Sequence, residues 1–122
     1  MARRATVTRR LMMIGALAAL SISPAIAQTI DIGTINGLYT AEGRNPDGSA
    51  YSGSVVMAEV NGAVQINWTV GNQHYAGTGV RDGQIVVVNW GAAYPVIYVV
   101  MADGNLHGTW DNGKALERLI RK

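Results

Sequence analysis

The sequence of 122 residues contains no cysteine and no phenylalanine. The absence of cysteine excludes disulfide bonds, thiolate metal sites and the lipid-modified cysteine of a lipoprotein. The absence of phenylalanine leaves three tryptophans and five tyrosines as the only aromatic rings. The fold must therefore be stabilised by backbone hydrogen bonding and by apolar packing in which tryptophan and tyrosine supply every ring.

Long apolar runs are scarce as well. The longest, residues 11–22, is too short to span a membrane. Four arginines precede it: Arg3, Arg4, Arg9 and Arg10. A small-residue cleavage site, Ala25-Ile26-Ala27, follows it, so we interpret residues 1–27 as a signal peptide that is cleaved after Ala27. The prediction is a periplasmic or secreted protein. Thr8-Arg9-Arg10 would also suit the twin-arginine route, but Met12 and Met13 at the positions of its usual phenylalanine and leucine favour general secretion.

Positive charge is low once this leader is set aside. Of the ten basic residues four lie in the leader, so six remain against eight acidic residues and the mature chain carries about −2. The sequence pI of about 9.2 therefore reflects the leader. No basic patch of the kind that binds phosphates is present, and we expect no nucleic-acid partner.

What the sequence does contain is a repeat of hairpin turns. Asn61-Gly62, Asp82-Gly83 and Asp103-Gly104 are spaced 21 residues apart, and such dipeptides favour type I′ turns between paired strands. Between turn residues, eight runs are typical of strands: 37–43, 50–60, 63–70, 73–81, 84–90, 95–102, 105–110 and 114–121. The predicted fold is all-β, an eight-stranded antiparallel up-and-down meander barrel spanning 37–122, after an N-terminal extension over 28–36.

Two features of this prediction leave alternatives. Residues 114–121 also suit a short helix by propensity, but an eighth strand would close the sheet and remove both open edges. A membrane barrel has the same minimum of eight strands, yet several runs are shorter than a spanning strand, so we expect a barrel that does not span a membrane. Runs five and six are apolar on both faces, which predicts that they lie deepest or are covered by a partner.

The meander order predicts a cluster of aromatic rings at one end of the barrel. Trp68, Trp90 and Trp110 end odd-numbered strands, and Tyr51, Tyr75 and Tyr98 lie at or near the starts of even-numbered strands, which begin at the end of the barrel where the odd-numbered strands finish. Asn45 and Tyr94 lie in loops at the same end. These eight residues are the candidate ligand-binding rim, suited to a sugar ring, a peptide or a small apolar ligand. The alternative is that the rings only plug the barrel end.

Catalytic and metal-binding patterns are weak. His74 and His107 fall on strands that are not neighbours, and no serine lies in a nucleophile context, so we expect no metal, no cofactor and no enzyme activity. Glu42 and Glu117 would approach each other if the first and last strands pair, but we favour solvated faces, or an ion pair of Glu117 with Arg44 or Arg118.

Several motifs are similar to a family of small exported bacterial proteins. They are Gly37-Leu38-Tyr39, Gly43-x-Asn45-Pro46-x-Gly48-x-x-Tyr51-x-Gly53, Tyr75-x-Gly77-x-Gly79 and Gly108-x-Trp110. Most members are uncharacterised and some carry a fibronectin-binding label. The resemblance implies the fold and export, but it transfers no ligand-binding residue. The architecture also resembles the avidin and lipocalin barrels.

Two functions follow as hypotheses. The first is a non-enzymatic exported barrel that binds a small ligand or an extended segment of an extracellular protein at the aromatic rim. The second is a structural envelope protein that forms homo-oligomers through the apolar faces of runs five and six.

Overall fold

A computed structural model describes residues 33–122, which form a closed barrel of eight antiparallel strands in chain order. The strands are β1 (Gly37–Arg44), β2 (Ala50–Val60), β3 (Ala63–Val70), β4 (Gln73–Asp82), β5 (Ile85–Asn89), β6 (Val96–Val100), β7 (Leu106–Trp110) and β8 (Ala115–Arg121). The predicted meander barrel is confirmed. The predicted signal peptide, 1–27, and the first part of the predicted extension lie outside the described residues. Within residues 33–122 there is no helix long and apolar enough to cross a membrane.

The last strand closes the sheet. β8 pairs with β1 from Tyr39 opposite Arg121 to Arg44 opposite Leu116, and it pairs with β7 on its other side. The helix propensity of 114–121 is overridden because pairing on both edges satisfies the backbone of every strand and leaves no open sheet edge. The prediction of a strand for this segment is confirmed.

The hairpin turns at one end differ from each other. Asn61 and Gly62 have φ angles of 50° and 84°, which is the predicted type I′ pattern. The other two turns depart from the prediction. Asp82 still belongs to β4, and Gly83 has the only positive φ of that turn, 62°. The third loop is longer. Gly104 donates its N–H to the Met101 carbonyl at 2.9 Å and has a φ of 88°, which is the pattern of a type I turn followed by a left-handed glycine.

The N-terminal segment 33–36 covers the end of the barrel that carries these turns. Ile35 is 1% exposed, and its carbonyl accepts a hydrogen bond from the buried Tyr39 hydroxyl at 2.7 Å. The Arg121 guanidinium donates to the carbonyls of Thr34 and Asn36 and lies over the Tyr39 ring, 5.1 Å from its centroid. This end of the barrel is closed by side chains, so any opening lies at the other end.

β5 and β6 are not buried on both faces. Val88 and Val100 point inward and are buried, whereas Ile85, Ile97 and Val99 point outward and are 42%, 42% and 39% exposed. The alternation arises because successive side chains of a strand point to opposite faces, whatever their polarity. The prediction that these two strands are buried on both faces is wrong for the chain by itself, and the alternative, that a partner covers their outer face, stays a prediction.

Candidate functional site

Five of the seven aromatic residues of the predicted rim meet at the end of the barrel opposite Ile35. Edge-to-face contacts form a chain from Tyr75 to Trp90, Trp110 and Tyr51, with ring centroids 5.9, 5.7 and 6.2 Å apart in that order. Trp68 joins the chain through Trp90 at 6.4 Å. Edge-to-face packing is the favoured geometry for such rings, so the cluster is held together by its own contacts.

The rings surround a cavity of about 380 Å³ that opens at this end. Six of the eight predicted rim residues line it: Asn45, Tyr51, Trp68, Tyr75, Trp90 and Trp110. Val70, Val96 and Glu117 complete the lining. The volume lies within the range of about 300 to 1,000 Å³ that is usual for small-molecule sites.

The other two predicted rim residues do not line the cavity. Tyr98 is fully buried in the core beneath it, at 0% exposure. Tyr94 lies in the loop between β5 and β6 with an exposed ring, and its carbonyl accepts a hydrogen bond from Trp90 Nε1 at 3.2 Å. Tyr98 therefore supports the base of the cavity and Tyr94 supports its wall through the backbone.

The three tryptophans differ in their roles. Trp68 is 5% exposed and packs in the core, as a plug would. Trp90 and Trp110 are only partly buried and pack against the edge of the core. The rim thus contains both a plug and walls, with Trp68 below and Trp90 and Trp110 around the opening.

A buried carboxylate lies at the base of the cavity. Glu117 is 6% exposed. Its Oε1 accepts a hydrogen bond from the Tyr51 hydroxyl at 2.8 Å, and its Oε2 accepts from Trp68 Nε1 at 2.9 Å and from the Tyr98 hydroxyl. Three donors on one carboxylate satisfy the requirement that a buried polar group be hydrogen-bonded.

Two glycines allow the tyrosines to reach Glu117. Gly43 lies between Tyr51 and Glu117 in the register of β2, β1 and β8, and Gly108 lies between Tyr98 and Glu117 in the register of β6, β7 and β8. A Cβ on Gly43 would lie 2.1 Å from Tyr51 Cζ, and one on Gly108 would lie 2.5 Å from Tyr98 Cδ1. Each ring lies across the strand between its own strand and β8, because that strand carries no side chain there.

Two chains of hydrogen bonds, each from an indole through a tyrosine hydroxyl, lead to the carboxylate. Trp110 Nε1 donates to the Tyr51 hydroxyl at 3.0 Å, which donates in turn to Glu117. Trp68 Nε1 likewise donates to the Tyr98 hydroxyl, at 3.2 Å. An indole N–H only donates, so each tyrosine accepts from a tryptophan and donates to the carboxylate. The acceptor at the end of both chains is Glu117.

Burial and the neighbouring carboxylate raise the pKa of both tyrosines. Burial is the larger cause for Tyr51 and for Tyr98, and the negative charge of the Glu117 carboxylate adds to it. Both hydroxyls therefore remain protonated donors well above the pH at which tyrosine ordinarily ionises.

The loop from β1 to β2 holds Asn45 at the opening. Asn45 Nδ2 donates to Ser49 Oγ at 3.0 Å, and its backbone N–H donates to the Ser49 carbonyl at 2.8 Å. Asp47 accepts from the Ser49 backbone N–H at 2.9 Å and from its hydroxyl at 2.6 Å, which lowers the pKa of Asp47. The loop is ordered by its own hydrogen bonds.

The predicted ion pair of Glu117 with Arg44 or Arg118 does not form. Glu117 faces the lumen opposite Gly43, while Arg118 faces outward and pairs with Glu42 at 2.5 Å. Glu42 and Glu117 consequently lie on opposite faces of the sheet and cannot act on one bond. His74 is exposed and contacts Thr69 Oγ1 at 3.2 Å, and within residues 33–122 no group of three or more acidic or histidine side chains could hold a metal ion.

Three lining residues were not anticipated from the sequence: Val70, Val96 and Glu117. The signal for Glu117 was its position in β8, where it shares a face with Ala115 and Leu119, both fully buried. The opposite face of β8 also carries apolar side chains, so alternation by itself did not distinguish inward from outward.

Comparisons with known proteins give no relative: no protein-family model, no curated protein and no solved structure matches the chain. The resemblance to small exported bacterial proteins stays a prediction.

Proposed function

We propose that the protein is a non-enzymatic, exported barrel that binds a small ligand in the aromatic cavity. The observation that carries the proposal is the opening itself, a cavity of about 380 Å³ walled by partly buried rings and ending on a buried carboxylate. Ligand sites are typically concave and mostly apolar, with a few polar groups that fix orientation. The cavity has this composition.

A small ligand fits the geometry better than an extended protein segment. Trp68 and the fully buried Tyr98 close the cavity from below, so it is a blind hole. The closed sheet also offers no free edge strand, which is what an extended peptide most often pairs with. A side chain or a free small molecule can enter such a hole, but a chain cannot pass through it.

The test is a titration of the mature protein with a panel of small molecules of different charge and polarity, in which tryptophan fluorescence is recorded as the measure of binding. Binding in the cavity should change the emission of Trp90 and Trp110. Trp90→Ala should weaken the affinity for the ligand by at least about tenfold. Tyr94→Ala is the matched control, because it removes an exposed ring that does not line the cavity. If no compound binds at millimolar concentration, or if Tyr94→Ala weakens binding as much as Trp90→Ala, the proposal is wrong.

The outward face of β4, β5 and β6 favours a second candidate, a homo-oligomer. Val80, Val87 and Ile97 lie opposite one another across these strands, and Val80 is 60% exposed. A contiguous apolar patch of this kind commonly marks a protein interface. Light scattering over a range of concentrations is the test: dissociation of an oligomer by Ile97→Lys would support this candidate, and a monomer at every concentration would remove it.

A further inference from the structure

In the part of the chain that the structure describes, no positively charged side chain pairs with the carboxylate at the base of the cavity. Two ion pairs occur among residues 33–122, Arg81 with Glu59 and Arg118 with Glu42, and Glu117 takes part in neither. Its three hydrogen-bond donors are neutral side chains. Neutral donors stabilise a carboxylate but leave its net charge, and a buried charge is usually paired with an opposite one.

Like the unpaired carboxylate, the walls of the cavity favour a positively charged ligand. The faces of aromatic rings carry negative electrostatic potential, and a cation is attracted to them within about 6 Å of the ring centroid. Along the wall, the angle between the ring planes is 73° for Tyr75 and Trp90 and 86° for Trp90 and Trp110. Rings in such different orientations surround a ligand on several sides, as in sites that bind quaternary ammonium groups.

The lining offers little to other classes of ligand. Among residues 33–122, no arginine or lysine lines the cavity, so an anion would meet a carboxylate without a compensating charge. The indole N–H groups of Trp68, Trp90 and Trp110 all donate within the protein. A sugar or another neutral polyol would therefore find few free polar groups besides Asn45.

We propose that the ligand of the aromatic cavity is a small organic cation with a substituted ammonium head group. The ammonium group lies among the rings of Tyr75, Trp90 and Trp110, and Glu117 supplies the opposite charge from below. This inference rests on the proposed function, because it names the class of ligand that the cavity takes.

The experiment compares two probes of the same shape and different charge on the mature protein. Choline carries a quaternary ammonium, and 3,3-dimethylbutan-1-ol is its neutral carbon isostere. Calorimetry and tryptophan fluorescence should give an affinity for choline at least about tenfold higher than for the alcohol, because only choline gains the charge interactions. This comparison needs no variant and is unaffected by any effect of substitution on folding.

Variants then locate the selectivity. Glu117→Gln keeps the shape and removes the charge, so it should weaken choline binding about tenfold and leave the alcohol nearly unchanged. Tyr75→Leu, at an exposed ring of the opening, should weaken choline more than the alcohol. Leu116→Ala is the matched control, since Leu116 is the neighbour of Glu117 on the outer face and should leave both affinities unchanged.

The outcomes separate the two proposals. Equal affinity for both probes, or no binding of choline when another compound of the panel binds, would overturn the cation proposal and leave small-ligand binding intact. No binding of any compound would overturn both. Binding of phosphatidylcholine vesicles or of a trimethyllysine peptide without binding of choline would overturn a free cation in favour of a lipid head group or a modified side chain.

Discussion

Trp68 Nε1 donates a hydrogen bond to Glu117 Oε2 at 2.9 Å, and this bond joins β3 to β8 across the barrel lumen. The two strands are not neighbours in the sheet, so backbone pairing does not hold them together here. The bond holds the buried indole of Trp68 against the carboxylate. The indole in turn separates the apolar core below from the open cavity above. The same group thus contributes to stability and, under our proposal, to ligand binding.

We expect removal of the Glu117 carboxylate to destabilise the barrel. Glu117→Ala leaves Trp68, Tyr51 and Tyr98 without their shared acceptor, and unmet buried donors should lower the free energy of unfolding by at least about 2 kcal/mol. Glu117→Gln keeps one acceptor oxygen and should cost only about 1 kcal/mol. Urea unfolding measures both, with Leu116→Ala as the control on the outer face. An equal loss for the alanine and glutamine variants would contradict the assigned hydrogen bonds.

Gly43→Ala should disturb the site through Tyr51. The new methyl group would lie 2.1 Å from Tyr51 Cζ, so the ring must leave Gly43 and its bond to Glu117 is lost. We expect a loss of about 1 to 3 kcal/mol in the free energy of unfolding, as for other overpacked positions.

A double-mutant cycle isolates the cause of that loss. The three atoms nearest to that methyl group all belong to the Tyr51 side chain, so Gly43→Ala should cost far less in a Tyr51→Ala background. If the alanine costs the same in both backgrounds, the strain arises in the backbone and not from the ring.

The sequence predicted the barrel because its signals are local. Asn61-Gly62 fixes a hairpin, and β3 alternates cleanly, with Val64, Ile66 and Trp68 buried. Strand order then placed the three tryptophans at one end. What it did not predict was the depth of each ring, because depth depends on barrel closure and on which glycines lie between a tyrosine and its partner.

Glu117 was missed for a related reason. A glutamate in a strand is usually exposed, and an ion pair with a neighbouring arginine was the simpler expectation. The inward direction is set by the register with β1, in which Gly43 and not Glu42 lies opposite Glu117. That register arises from closure of the whole sheet, which no local pattern in β8 contains.

Alkaline pH should destabilise the protein through its buried tyrosines. The pKa of Tyr39, of Tyr51 and of Tyr98 is raised above the ordinary value of 10.0, by burial first and, for the last two, by Glu117 second. The stability that these hydroxyls contribute is full below about pH 10 and is lost as the pH rises further, because the unfolded state releases its protons first.

Unfolding in urea between pH 8 and pH 11 measures this loss, and the absorbance of tyrosinate follows ionisation in the folded state. Glu117→Gln should make the decline shallower, since the charge that raises the pKa of Tyr51 and Tyr98 is gone. Tyr51→Phe should likewise remove its share. An unchanged decline in Glu117→Gln would show that the carboxylate does not act on these tyrosines.

Ile35→Ala should open the end of the barrel opposite the cavity. Ile35 is 1% exposed and packs with the core although it precedes the first strand. Its truncation should cost about 2 to 5 kcal/mol, the usual range for a buried isoleucine, because the covered barrel end cannot collapse to fill the space. Val60→Ala, near the same end but 70% exposed, is the control and should cost less than about 0.5 kcal/mol.

Because the aromatic cavity lies at the other end of the barrel, ligand affinity measured well below the unfolding temperature should be the same in Ile35→Ala as in the natural protein. A lowered affinity would mean that the two ends are coupled through the core.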